Sequence, residues 1–237
     1  MEPGGPQREP ASVRAMFDSL AGRYDLLNSF LSGGRDAHWR RRAAQASGLQ
    51  PGGTALDVAC GSGRLAAELK RRAGGGVVVG IDFSRRMLQI AQDSARGPVY
   101  ARSDALALPF PDDSFDAVTV AFGLRNFVRP GAALAEMLRV IRPGARALVL
   151  EFVQPRPGLL GALYRTYLRH GLPRVGGAIS GQAHAYRYLS QTVDSYHSPA
   201  ELVALARAAG WSEVTIELLT LGTVGLLVGH KLQRQLS

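Results

Sequence analysis

Cysteine is nearly absent from this chain: the single thiol of Cys60 in 237 residues cannot close an intrachain disulfide, which excludes a disulfide-stapled scaffold. Histidine is scarce too. Its five positions, His38, His170, His184, His197 and His230, show no H-x-H or H-E-x-x-H spacing, so no metal is expected. Long apolar runs are also missing, since no stretch reaches the about 18 residues of a membrane span. The most apolar segment, Val214 to Val228, is broken by polar residues and by Gly222 and Gly225, which suits two short strands and a turn. The Pro- and Gly-rich start, residues 1–12, lacks the apolar core of a signal peptide and reads as a disordered tail on a cytoplasmic protein. Acidic residues number 19 against 28 basic ones, a net charge of +9. Clusters at Arg40-Arg41-Arg42, Lys70-Arg71-Arg72 and Arg85-Arg86 would attract nucleic-acid phosphate or anionic lipid. Nearly all of that charge is arginine in an Ala/Gly/Pro-rich chain, however, and each cluster falls on a predicted helix face that water can solvate. No nucleic-acid partner is expected.

What is present is a rhythm. The length suits one α/β domain, taken here as residues 13–237. Two helical segments, about Val13 to Asn28 and Asp36 to Ala46, precede the punctuation Pro51-Gly52-Gly53. Strand-like and helical runs then alternate: Ala55 to Ala59, helix Arg64 to Arg72, Val77 to Asp82, helix Arg85 to Ala95, Val99 to Arg102, Phe115 to Ala121, helix Gly131 to Val140, and Ala147 to Phe152. Such repetition implies a parallel sheet with right-handed crossovers. A long insertion at about 154–198 interrupts it. Helix Pro199 to Ala209 follows, and then a strand pair, Val214 to Leu219 and Thr223 to Gly229, close enough for a hairpin.

The segment Leu56-Asp57-Val58-Ala59-Cys60-Gly61-Ser62-Gly63 places a tight glycine turn between a strand and a helix. Without Cβ atoms, Gly61 and Gly63 let the backbone approach a nucleotide-like cofactor closely, and Ser62 lies between them. The same turn satisfies the G-x-G-x-x-G/A fingerprint of dinucleotide folds through Gly61-Ser62-Gly63-Arg64-Leu65-Ala66, so by itself it does not choose. Asp82, with Phe83 after it, ends the second strand about twenty residues further on, where a carboxylate accepts both ribose hydroxyls of either cofactor. Asp57, taken with the segment Asp104 to Asp116, favours one of them. A carboxylate beside the turn repels a pyrophosphate but suits the amino and sulfonium groups of S-adenosylmethionine (SAM).

At this point the chain resembles class I methyltransferases. The resemblance implies a Rossmann-like, seven-stranded, mostly parallel α/β sheet with helices on both faces and a C-terminal antiparallel strand. It also implies that Asp104 accepts from the adenine amino group while the amide of Ala105 meets a ring nitrogen, and that Ala121 lies at the cofactor. Asp104 read alone is equally a turn or helix cap. Further segments resemble the UbiE/MenG/Coq5 family of quinone C-methyltransferases: Met16-Phe17-Asp18-Ser19-Leu20-Ala21-Gly22-Arg23-Tyr24-Asp25-Leu26-Leu27-Asn28, Phe122-Gly123-Leu124-Arg125-Asn126, Arg139-Val140-Ile141-Arg142-Pro143-Gly144, Leu150-Glu151-Phe152 and Ala185-Tyr186-Arg187-Tyr188-Leu189. Departures from the family pattern are Arg64 in place of an acid, Asp36 in place of His, Ala121 and Val153 in place of Ser, and Ala145 in place of Gly.

The resemblance implies methylation of a ring carbon on a reduced, prenylated quinol, with demethylmenaquinol as the expected acceptor. A benzoquinol of the ubiquinone pathway, another small-molecule acceptor, and a non-enzymatic quinone-binding protein on the same fold stay open. The residues expected to hold or activate the quinol are Tyr24, Arg125, Asn126, His184, Tyr186 and Tyr188. Arg125 is equally readable as a structural ion pair, and Tyr186 and Tyr188 as core-edge aromatics. Within the insertion, Leu160, Leu163, Tyr164, Tyr167 and Leu168 recur at helical spacing with arginines beside them. That stripe suits a lid over a prenyl tail, a peripheral contact with an anionic membrane, or ordinary packing. A homodimer is likewise left open.

Overall fold

The computed structural model describes residues 32–94, 96–154 and 197–233. The 1–12 tail, the helix expected over Val13 to Asn28, the apolar stripe of the insertion, and Tyr24, His184, Tyr186 and Tyr188 lie outside the described residues.

The expected alternation is present. Helix α1 (Asp36–Ala46) precedes β1 (Ala55–Val58), α2 (Arg64–Ala73), β2 (Val78–Asp82), α3 (Arg85–Asp93), β3 (Val99–Arg102) and β4 (Phe115–Ala121). A 3₁₀ turn (Leu124–Asn126), α4 (Pro130–Val140), β5 (Ile141–Phe152), α5 (Pro199–Ala208), β6 (Ser212–Leu219) and β7 (Val224–His230) follow. Local chemistry sets several of the helix starts. Ser84 caps α3 by accepting from the Met87 amide at 3.2 Å. Ser198 and Glu201 form a reciprocal capping box on α5.

Seven strands form one sheet in the order β3-β2-β1-β4-β5-β7-β6. The pairs from β3 to β5 are parallel, and β7 runs antiparallel between β5 and β6. This is the expected fold, including the β6–β7 hairpin. The central strands are buried on both faces, as a doubly covered parallel sheet requires. Alternate residues feed two apolar layers. Ala55, Ala117, Leu148 and Leu150 pack with α1 and α2, while Leu56, Val58, Val118, Val120 and Val149 pack with α4 and α5.

One strand is longer than the sequence suggested. The strand expected from Ala147 begins at Ile141, which pairs with Phe115 before the register shifts to Ala117 opposite Arg146. Gly144, at φ +80°, absorbs the irregularity.

The sheet order reverses between β1 and β4, and in open α/β sheets such a switch point leaves a crevice at the carboxyl ends of the strands. The two ends of the insertion also emerge at that end of β5, where the Gln154 amide donates to the His197 carbonyl at 3.3 Å.

Candidate cofactor and active site

A cavity of about 500 Å³ occupies the switch-point crevice, lined by the carboxyl-terminal residues of four neighbouring strands. Ala59 and Gly61 follow β1, Asp82 ends β2 with Phe83 after it, Arg102 ends β3 with Ser103 to Leu106 after it, and Ala121 ends β4 with Phe122 and Gly123 after it. Asn126, Phe127 and Val128 form the side beyond β4, and Ile81 and Met87 complete the apolar lining.

The glycine turn is built for close approach. Gly61 and Gly63 have φ of +56° and +76°, a region that a side chain disfavours. A Cβ on Gly63 would stand 2.2 Å from the Tyr100 hydroxyl, so the turn rests directly on that ring. Ala59 (φ +51°) and Phe122 (φ +58°) take left-handed conformations without being glycine, a strain that clusters at functional clefts. Both flank the crevice, and a Cβ on Gly123 would come within 2.8 Å of the Ala59 Cβ. The two strand ends therefore meet at near-minimal separation.

Asp82 holds this geometry together. Its Oδ2 accepts from the Gly61 amide at 2.9 Å and its Oδ1 from the Ser84 amide at 2.8 Å, which ties the glycine turn to the start of α3. The same side chain lines the cavity, and a carboxylate is a suitable acceptor for a diol. Asp104 accepts from the Leu106 amide at 2.9 Å. The turn-cap reading is thus realised, and Asp104 lines the cavity together with Ala105.

Asp57 is placed differently from the expectation. It does not line the cavity but lies beneath the turn, fully enclosed, accepting from Thr119 Oγ1 at 2.8 Å. Its register partner across the sheet is that same Thr119. Oδ2 has no hydrogen-bond partner among the described residues. Burial pushes its pKa up to about 7, against smaller opposing effects of Thr119 and Arg40. Burial, with the nearby carboxylates of Asp57 and Asp82, also raises the Cys60 thiol well above its ordinary value.

Of the expected cofactor residues, Gly61, Asp82, Phe83, Asp104, Ala105 and Ala121 line the cavity, whereas Ser62, Gly63 and Asp57 do not. Of the expected substrate residues, Asn126 lines it. Arg125 lies beside it in the 3₁₀ turn, buried and ion-paired with Glu151, with its guanidinium 5.4 Å from the Phe152 ring centroid. Glu151 also accepts from the backbone amides of Arg125 at 3.3 Å and of Phe152 at 2.9 Å. The expected set left out several lining residues, among them Ile81, Met87, Arg102, Ser103, Leu106, Phe127 and Val128. Of these, Ile81, Arg102 and Ser103, at or next to the ends of strands, stood where strand order could have signalled them. Two departures from the family pattern meet each other: Arg64 Nη1 lies 2.5 Å from Asp36 Oδ2.

The donor set fits SAM. It offers the Asp82 carboxylate at the carboxyl end of β2, an amide and carboxylate pair after β3, apolar walls for a purine, and the buried Asp57 carboxyl, whose Oδ2 has no hydrogen-bond partner among the described residues. Strand order, glycine turn and crevice together define the class of SAM-dependent methyltransferases. A sequence model of the ubiE/COQ5 methyltransferase family matches residues 6–231, and the chain belongs to that family. It is 49% identical over 220 residues to a demethylmenaquinone methyltransferase of Thermus thermophilus, an alignment that covers 91% of this chain and 100% of the relative. It is 45% identical to the protein of that name from Deinococcus radiodurans, with 96% of each chain covered. Among solved structures, a SAM-dependent methyltransferase of Thermotoga maritima superposes with a TM-score of 0.65 at 23% identity, over 92% of this chain and 98% of the other, a likeness of fold.

Proposed function

We propose that this chain methylates a ring carbon of a reduced, prenylated naphthoquinol, converting demethylmenaquinol to menaquinol. The observation that carries this reading is near full-length similarity, at 49% and 45% identity, to two demethylmenaquinone methyltransferases, combined with a cavity whose donors suit SAM.

Bound SAM would supply an electrophilic methyl group on a sulfonium. On the protein side, the Asp82 carboxylate would accept from the ribose hydroxyls while keeping its bonds to Gly61 and Ser84. Asp104 and the Ala105 amide would hold the adenine edge, and the strained Ala59 and Phe122 bring two strand ends against the ligand. Ionised Asp57 would place negative charge beneath the cationic end.

The acceptor has to be the quinol, because its hydroxyls donate electron density that the oxidised ring lacks. A quinol hydroxyl has a phenol-like pKa near 10, and loss of its proton to a base or ordered water pushes charge onto the ring carbon. Asn126, at the cavity, holds a hydroxyl. Arg125, fixed by Glu151, supplies a cation near the developing phenolate. Tyr24, His184, Tyr186 and Tyr188 complete the proposed substrate set. Correct placement of the ring supplies several kcal/mol of the acceleration.

The chain works as one catalytic unit, with the insertion at about 154–198, most of it outside the described residues, assigned to the quinol. Its two ends leaving the sheet at the cavity end support this. No helix among the described residues is long and apolar enough to cross a membrane. A prenylated acceptor and a net charge of +9 support peripheral contact with anionic lipid.

The test is calorimetric titration of SAM into wild type and Asp82→Ala, followed by mass spectrometry after incubation with reduced demethylmenaquinol. Binding that the variant loses, together with a product heavier by one methylene, is expected. Binding without that product refutes the acceptor, and no binding refutes the enzyme.

A further inference from the structure

Asp36 opens α1 with 2% of its surface exposed, and Arg64 opens α2 directly after the glycine turn. The two meet at 2.5 Å through Arg64 Nη1 and Asp36 Oδ2. The same Oδ2 lies 3.9 Å from Arg40 Nε, and the Arg40 guanidinium carbon stands 5.3 Å from the centroid of Phe122. One carboxylate therefore reaches the helix that carries the glycine turn on one side and, through Arg40, a wall of the cavity on the other.

Arg64 occupies a position where a cation is disfavoured. The first turn of a helix presents the positive end of the amide dipoles, Gly63 offers no side-chain cap, and the first turn of α2 contains no acid. The negative charge this helix start lacks comes instead from α1. The side chains are 24% and 3% exposed, so solvent ions screen the pair only partly. The fold does not depend on the pair to hold α1 in place. Trp39 of α1 packs on Phe122 at 6.0 Å and on Phe152 at 6.1 Å between ring centroids, and its indole N–H donates to Thr220 Oγ1 at 2.9 Å. With α1 anchored by its aromatic face, the Asp36–Arg64 pair is left to set where the first turn of α2 sits relative to Phe122.

We infer that Asp36 and Arg64 are positioning residues for the cofactor, holding the glycine turn at the separation from the β4 end that the bound ligand requires. The inference rests on the SAM reading above. Its signature is a loss of cofactor affinity that outruns any loss of stability or turnover.

The test measures the SAM dissociation constant by calorimetry, kcat at saturating SAM, and thermal unfolding for four variants. In Arg64→Met, which keeps the stem and removes the charge, the dissociation constant rises about tenfold, equal to about 1.4 kcal/mol, while kcat stays within about twofold. Arg64→Lys recovers most of the affinity. Asp36→Asn with Arg64→Met binds no more weakly than the weaker of the two single variants, as expected of one shared interaction. Should Asp36→Asn fail to fold, the two Arg64 variants, at a partly exposed site, carry the test. Wild-type affinity in Arg64→Met, or losses that add in the double variant, overturn the inference while the functional reading stands. A wild-type protein that binds no SAM overturns both.

Discussion

Replacing Asp57 by asparagine should make the protein more stable at mildly alkaline pH and less able to bind its cofactor. The folded carboxyl holds its proton up to about pH 7, whereas an ordinary aspartate releases it near 3.8. Between those values the native state binds more protons than the unfolded chain, so this group's contribution to stability is complete below the lower value and is lost as pH rises through the upper one. A gap of roughly three pH units corresponds to about 4 kcal/mol in total, of which about 3 kcal/mol falls between pH 5 and pH 8. Asparagine keeps an oxygen for Thr119 and cannot ionise, so it escapes the penalty. The assay is urea unfolding of wild type and Asp57→Asn at both pH values, read as the difference between the two proteins. Asp116, Glu136 and Glu201, whose pKa values are lowered, titrate alike in both and cancel. Calorimetry in buffers of different ionisation enthalpy should show a proton leaving as SAM binds near neutral pH to wild type but not to the variant. A stability difference that does not change with pH would refute the reasoning.

Three further outcomes are expected. Gly63→Ala combines a left-handed φ of +76° with a Cβ 2.2 Å from the Tyr100 hydroxyl and should cost about 2–4 kcal/mol in thermal unfolding. Adding Tyr100→Phe should restore only part of that, because the ring carbon at 2.8 Å remains. Glu151→Gln removes the charge facing buried Arg125 and should lower stability by about 3 kcal/mol, with kcat falling while SAM affinity is retained. Ser198→Ala breaks the capping box on α5 and should cost about 1 kcal/mol in denaturant unfolding.

Periodicity and punctuation made the strands, most helix limits and the α/β class legible, because alternating apolar runs bounded by Gly and Pro are local properties. Asp82 was legible for the same reason, since the end of a strand can be counted from the glycine turn. What depends on register or long-range contact was not. That Asp57 lies under the turn follows from its pairing with Thr119 of β4, sixty-two positions away, which no local pattern encodes. The Asp36–Arg64 pair looked like two separate departures from the family pattern until the packing of α1 on α2 brought them together. Left-handed Ala59 and Phe122 were invisible because neither residue type advertises that conformation. The start of β5 at Ile141, ahead of the expected Ala147, was not legible either, since it depends on the strand taking up Pro143-Gly144 as an irregularity against β4.

The chain's only cysteine sits in the glycine turn between Ala59 and Gly61, two residues that line the cavity proposed to hold a methyl donor. A sulfonium is an alkylating agent, and a thiolate is among the strongest nucleophiles a protein carries, so the arrangement invites the enzyme to methylate itself. The fold prevents this by keeping Cys60 protonated: burial and the carboxylates of Asp57 and Asp82 hold the thiol well above its ordinary pKa, and only the ionised form attacks. Burial first, and the two neighbouring carboxylates second, thus disarm the thiol nearest the proposed donor. In Asp57→Asn, with one of those acids gone, slow S-methylation of Cys60 during prolonged incubation with SAM would appear in the intact mass of the protein.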